Sequence, residues 1–315
     1  MSHRVTLPAL GIALLFGLGA CSDAGSPPTA LDAPDPSFAR SSGGSSAGYE
    51  VISLPGDGSV TLGLSDAGTV VGYVTRDGVR RAAYWLVDAS GAVTGPVEID
   101  VPVPDETAAM RANDAGQMIV RVRGESSATG FVHDRSDGRV VELSLAEGSL
   151  ASSPWAINAA GVVTGSAAYE DGSGYVTRPV VWLTPCDATE PPVALPLPEG
   201  HVDSHFRTYL NDRGQIVTLS ETAEGEYVPV RWTIGSDGSI SGPDVFGAAT
   251  GLDGFELGNT GQLVGNLPDS QPAILQPDGN VVTLPLVDGD PRWLARSIGD
   301  AADGQPAWVA GTSDM

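Results

Sequence analysis

The sequence predicts an all-β fold in which short antiparallel units of about 45 residues repeat around a ring. Three observations predict it. A turn phrase recurs every 45–50 residues, apolar residues come in adjacent pairs beside it, and no amphipathic helix of useful length follows residue 20.

The phrase is an apolar residue, a short polar turn closed by glycine, and an apolar pair. It reads Leu64-Ser-Asp-Ala-Gly68-Thr-Val-Val-Gly72, then Ala112-Asn-Asp-Ala-Gly116-Gln-Met-Ile-Val120 and Ile157-Asn-Ala-Ala-Gly161-Val-Val-Thr-Gly165. It returns as Leu210-Asn-Asp-Arg-Gly214-Gln-Ile-Val-Thr218 and Leu257-Gly-Asn-Thr-Gly261-Gln-Leu-Val-Gly265, with a looser copy from Ile298 to Gly304. Asn, Asp and Gly suit turn positions with positive φ, so the acids here read as turn formers and not as calcium ligands; no copy has the spaced acidic loop that encloses calcium. Side chains alternate faces along a strand, so adjacent apolar residues such as Val70-Val71 or Met118-Ile119 require burial on both faces.

A third strand follows each phrase, as in 82–86, 130–133, 179–183, 229–232 and 272–275. Trp85, Trp182 and Trp232 fall at matching places in it, a spacing that reads as core packing. A fourth strand follows, as in 140–143 and 281–285. Four strands per unit, apolar on both faces, describe the blade of a β-propeller. Residues 50–55 look like a fourth strand placed before the first repeat, while the last repeat has only two strands. The expectation is therefore a six-bladed β-propeller whose incomplete last blade is closed by strand 50–55, which removes exposed sheet edges.

These residues resemble the extracellular HAF-repeat proteins of bacteria, in which a His-Ala-Phe strand is coupled to an Ile-Asn-x-x-Gly-x-Val-Val-Gly turn and strand. The second half matches at Ile157-Asn158 to Gly165 and Leu210-Asn211 to Val217. The first half is eroded to Ala83-Tyr84-Trp85 and Gly130-Phe131-Val132. The resemblance spans nearly all of 49–315, implies an exported repeat domain of propeller type, and carries no catalytic residue onto this chain.

The start of the chain reads as an address. A short basic stretch (His3, Arg4) precedes an apolar run from Val5 to Ala20, too short to span a bilayer and built like a signal peptide. It ends Leu18-Gly19-Ala20-Cys21, which resembles the lipobox of bacterial lipoproteins. That resemblance implies cleavage before Cys21, lipidation of its thiol, and a membrane anchor. Ser22 resembles an outer-membrane sorting signal, so the expected location is the bacterial cell envelope, at the outer membrane. Residues 1–20 are thus the expected signal peptide, and 21–48 a lipidated tether of Ser, Gly, Pro, Ala and Asp with little to bury. Residues 49–315 are the repeat domain. Only Cys186 would remain as a free thiol, in a Pro-rich insertion, so no internal disulfide is expected.

All 16 basic residues are arginine against 39 acids, giving a formal charge of −23, or −24 once the leader takes Arg4 with it. Nucleic-acid binding rests on cationic phosphate contacts and is excluded as a class by this balance. The chain contains no phosphate loop and no plausible nucleophile–base pair, and its Gly44-Ser45-Ser46-Ala47-Gly48 run falls in the low-complexity tether. His201-Val-Asp-Ser-His205, read as a loop entering the fourth repeat, has metal-like residue types but no further histidine near it, and no metal or cofactor is expected. Propellers bind ligands near the axis, where the innermost strand enters the repeated turn. Five residues before the turn glycine stand Gly63, Arg111, Ala156, Tyr209 and Glu256, and the polar three, Arg111, Tyr209 and Glu256, are the candidate ligand-binding residues. The expected function is a monomeric, non-enzymatic module binding a protein, glycan or small molecule. The alternatives are an exported hydrolase or lyase with carboxylates at the axis, or a structural envelope protein.

Overall fold

The structure is a computed structural model and describes residues 52–56, 58–124, 128–172, 174–184, 190–247, 251–285, 294–300 and 306–312. Cys21, the leader, the tether and Cys186 lie outside these residues.

The chain forms a β-propeller arrangement of four-stranded antiparallel sheets, each a simple meander. Blade 1 is β1 (Val60–Leu64), β2 (Thr69–Arg76), β3 (Val79–Val87) and β4 (Val93–Glu98). Blade 2 is β5 (Glu106–Ala112), β6 (Gln117–Arg123), β7 (Phe131–Asp134) and β8 (Arg139–Glu142). Blade 3 is β9 (Ala151–Ile157), β10 (Val163–Glu170), β11 (Tyr175–Trp182) and β12 (Val193–Ala194). Blade 4 is β13 (His201–Leu210), β14 (Gln215–Thr222), β15 (Tyr227–Ile234) and β16 (Ile240–Val245). Blade 5 is β17 (Asp253–Leu257), β18 (Leu263–Asn266), β19 (Pro272–Leu275) and β20 (Val281–Thr283). A two-stranded sheet, β21 (Leu294–Asp300) and β22 (Pro306–Thr312), follows.

The expected six blades are corrected to five four-stranded blades and this hairpin. Residues 52–55 of the expected closing strand 50–55 are not in a ladder; residues 50 and 51 lie outside the described residues. The physical reason is that this segment already has a task on blade 1. Ile52 and Leu54 pack against Val70, Val74, Ala83 and Trp85, and the Pro55 carbonyl accepts a hydrogen bond from Trp85 Nε1 at 2.9 Å. Ser144 and Pro196, in the linkers before blades 3 and 4, accept from Trp182 Nε1 at 2.9 Å and Trp232 Nε1 at 3.2 Å. Each of these tryptophans therefore fills the core and ties the linker to its blade with its one polar atom.

The adjacent apolar pairs split between successive cores, as burial on both faces requires. Val71 packs with Ala109, Met118, Val120 and Phe131 between blades 1 and 2, and Ile119 with Val163, Val180 and Trp182 between blades 2 and 3. Val181 joins Ile216, Val230 and Trp232 between blades 3 and 4, and Val217 joins Leu257, Leu263 and Leu275 between blades 4 and 5. Val264 and Ile274 meet Ala295 and Ile298 of the hairpin, which is how β21 docks on blade 5. The first strand of each unit lies beside the first strand of the next, from β1 through β21.

The turn glycines Gly68, Gly116, Gly161, Gly214 and Gly261 all have positive φ, between 74° and 84°. Around them runs a belt of contacts from blade to blade. Asn113 Nδ2 donates to the Asn158 carbonyl at 3.0 Å, Asn158 Nδ2 to the Asn211 carbonyl at 3.3 Å, and Asn211 Nδ2 to the Gly258 carbonyl at 2.9 Å. Each Oδ1 meanwhile caps its own turn by accepting from the amide four residues on, Gln117, Val162 or Gln215. The turn aspartates join neighbours too: Ala67 N donates to Asp114, and Ala159 N to Asp212, at 2.8 and 2.7 Å. The repeated turn is thus the clasp between blades, which accounts for both its asparagine and its acid.

Candidate functional site

Every innermost strand carries an irregularity at nearly the same register. In β1, β5, β9, β17 and β21 the ladder register skips one residue, namely Leu62, Met110, Trp155, Phe255 and Arg296. In β13 three residues, His205, Phe206 and Arg207, bulge together between Ser204 and Thr208. A bulge bends its strand and re-aims side chains, and bulges recur beside functional sites. Opposite the bulges of blades 1, 3 and 5, the glycine ending the repeated phrase accommodates the closer backbone. A Cβ on Gly165 would lie 2.9 Å from both the Ser153 carbonyl carbon and Trp182 Cζ3.

The bulges of blades 3 and 4 bring together an aromatic and cationic cluster. Trp155 and Phe206 have ring centroids 5.2 Å apart at 53°, and His205 lies 4.3 Å from Phe206. The Tyr227 ring stands edge-on to His205 at 6.3 Å. Arg121, on β6 of blade 2, places its guanidinium 4.1 Å from the Trp155 ring centroid, and Arg207 places its own at 5.9 Å. Phe206 is 45% exposed and Tyr227 is exposed at its rim, so the cluster is open to solvent on that side.

The electrostatics are unusual for so acidic a chain. Arg207 pairs with Asp253 at 3.1 Å. Arg121 has no ion-pair partner among the described residues, and its Nε and Trp155 Nε1 are buried without hydrogen-bond partners there. Burial, reinforced by the like charge of Arg207, lowers the pKa of Arg121. Burial likewise lowers that of His205, with Arg207 adding to the shift and Asp253 opposing it. Its Nδ1 accepts from the Arg207 amide at 3.4 Å, which places the ring proton on Nε2.

The candidates Arg111, Tyr209 and Glu256 do something else. They sit on the innermost strands β5, β13 and β17, and each bonds backbone of an adjacent unit. Arg111 donates to the Leu62 carbonyl at 2.7 Å, the Tyr209 hydroxyl donates to the Gly254 carbonyl, and Glu256 Oε2 accepts from Ile298 N at 3.1 Å. Burial pushes the Tyr209 pKa up. Arg111, two blades away, is near enough for its charge to pull in the other direction. These three are inter-blade staples. The exposed cluster lies beside this register in the chain, one residue earlier at Trp155 in blade 3 and within β13 in blade 4. The signal that points to it is the run Phe206-Arg207 together with Trp155, large residues where the ladder register breaks.

The segment 201–205, read as a loop, is the start of strand β13, paired with Glu221 and Thr222. Its polar groups are engaged separately: His201 Nδ1 hydrogen bonds Ser220 Oγ at 3.0 Å, and Asp203 accepts from Thr177 N at 2.6 Å. Among the described residues no three His, Cys, Asp or Glu side chains gather as a metal-holding group. A cleft of 410 Å³ between blades 1 and 2 is lined by Arg81, Glu98, Asp100 and Thr107. Two of its polar groups are already used, Arg81 on the Asp105 carbonyl and Thr107 on Ala82 N.

No protein-family profile matches the chain, and no curated protein is similar to it. Solved structures are similar in fold. A mutant of puromycin hydrolase complexed with PGG aligns at a TM-score of 0.51 and 14% identity, over 76% of this chain and 43% of that one. The chain thus spans less than half of that protein's length. Virginiamycin B lyase from Staphylococcus aureus aligns at 0.44 and 15% identity over 77% of this chain and 75% of its own. The lectin BP39L from Burkholderia pseudomallei gives 0.43 and 15% over 73% and 74%. At these identities the likeness is one of fold, the propeller, and enzymes and a lectin both occur among the bearers.

Proposed function

We propose that this chain is a lipid-anchored, exported binding module of the bacterial cell envelope, placed at the outer membrane, that holds its ligand at the Trp155–Phe206 cluster without turning it over. The carrying observation is that cluster: exposed aromatic rings flanked by two guanidiniums, one of them with no acid paired to it among the described residues. Aromatic faces and cations bind without supplying a nucleophile, and the one ring of the cluster able to take a proton, His205, has its Nδ1 engaged by the Arg207 amide. The HAF-repeat resemblance and the Leu18-Gly19-Ala20-Cys21 phrase support the address. The tether, by the coil estimate of about 5–6 Å times the square root of its length, would hold the domain roughly 30 Å from the membrane.

Two measurements test this. Mass spectrometry of the protein from a bacterial membrane fraction is expected to find an amino-terminal Cys21 carrying acyl chains; an unmodified cysteine contradicts the anchor. A glycan and small-molecule binding screen of the full chain, run beside Trp155→Ala, is expected to find ligands whose retention depends on Trp155. Turnover of any bound compound, abolished by removing an acid such as Asp253, would favour the hydrolase or lyase reading instead.

A further inference from the structure

We infer that the ligand of this cluster is a small organic anion in which a carboxylate is carried on a ring, bound with the carboxylate on Arg121 and the ring face on Trp155 and Phe206. The inference rests on the proposed binding role of the cluster and goes on to name the chemistry of the ligand.

Arg121 is the first argument. A cation withdrawn from water is costly unless it is paired, by several kcal/mol even after relaxation. The Trp155 face at 4.1 Å returns only about 1–2 kcal/mol through its quadrupole. Arg207 is close enough to act on Arg121 by repulsion, and its own carboxylate, Asp253, is spoken for at 3.1 Å. Among the described residues, therefore, no carboxylate meets the guanidinium fork of Arg121, a geometry that suits a carboxylate from a ligand.

The second argument is shape. Trp155 and Phe206 are tilted by 53°, so they form a notch and not a flat shelf. A ring with an apolar face fits it; an inorganic anion would leave the exposed part of Phe206 unused. The rim carries hydrogen-bonding groups, His205 beside Phe206 and the Tyr227 hydroxyl, which donates to Glu221 at 3.1 Å. The surrounding negative charge disfavours long polyanions, whose other charges would face the protein's acids, so the recognised unit is a single acidic ring.

The test uses the full chain and a ligand series that needs no substitution. Tryptophan fluorescence and calorimetry would follow glucuronate, its neutral isostere glucuronamide, benzoate and inorganic sulfate. Glucuronate or benzoate is expected to bind at least tenfold more tightly than glucuronamide and than sulfate. Which of the two is tighter distinguishes a sugar acid from an aromatic acid. Arg121→Gln is expected to abolish the preference for the charged form. Arg121→Lys, which keeps the charge but not the fork, is expected to restore part of it. Equal binding of glucuronate and glucuronamide overturns the inference, and so does sulfate binding as tightly as the ring acids. If no acid of the series binds while the screen still finds Trp155-dependent ligands, the anion inference fails and the binding role stands. If Trp155→Ala leaves every ligand bound, the binding role itself fails.

Discussion

The turn end and the bulge of the innermost strands lie only a few residues apart, yet they treat polar groups in opposite ways. At the turns, Asn113, Asn158 and Asn211 are buried and saturated, each capping its own turn and reaching the next blade. Around the bulges of blades 3 and 4, Trp155 Nε1 and the Nε of Arg121 from blade 2 are buried without hydrogen-bond partners among the described residues, and Phe206 is exposed. The uniform part of the repeat assembles the blades, and the part where the copies differ is where a site has room to arise.

The sharpest way to break this comparison is to disturb the backbone that supports a bulge. Gly165 faces Pro154, next to the bulged Trp155, and an added methyl would press on the Ser153 carbonyl. Gly165→Ala is expected to destabilise the chain by about 3 kcal/mol in chemical denaturation. A neutral result would mean that the strands of blade 3 yield and that the bulge is not rigidly held.

A smaller effect is expected at the belt. Asn158→Ala leaves the Asn211 carbonyl and the Val162 amide without their side-chain partners, at a cost of about 2 kcal/mol. Ligand binding at the cluster should be unchanged at temperatures where the variant is folded. A change below about 0.5 kcal/mol would show that the belt contributes little and that water entering the vacated space replaces its hydrogen bonds.

The smallest effect is a pH dependence. Burial first, then Arg207, hold the His205 pKa below its usual value, against the pull of Asp253, while the Tyr227 ring faces it edge-on. The unfolded chain therefore takes up a proton that the folded chain resists. Its contribution to stability is complete above the ordinary histidine range and is lost as pH falls through the lowered value. Burial lowers His133 as well. Thermal melts from pH 7.5 to 5.5 are expected to show a falling Tm, with a shallower fall in His205→Gln. An identical slope in the variant would remove His205 from this account.

Much of the fold was legible because a propeller's information is local and repeated. The phrase around Gly116 or Gly161 predicts the turn, its positive φ and the flanking strands, and pairs such as Ile216-Val217 predict two packed faces. The end of the ring was less legible. Residues 52–55 have the composition of a strand, but Pro55 offers no amide, and its carbonyl is taken by Trp85. The site was least legible. Counting back five residues from the turn glycine stops just short of the bulges, which lie at Met110, at Trp155 and at 205–207. Arg111, Tyr209 and Glu256 therefore proved to be staples to neighbouring backbone, while the open cluster formed around Trp155 and Phe206. Arg121 came from a different strand of a different blade, a proximity that no spacing along the chain encodes.

The division of labour can be tested in one paired experiment: Trp155→Ala and Asn158→Ala, each measured for thermal stability and for binding of the ring acid. The account predicts that Trp155→Ala loses binding while its Tm stays near that of the parent, and that Asn158→Ala lowers Tm while binding as the parent does. The reverse pattern, or both variants losing both properties together, would contradict it.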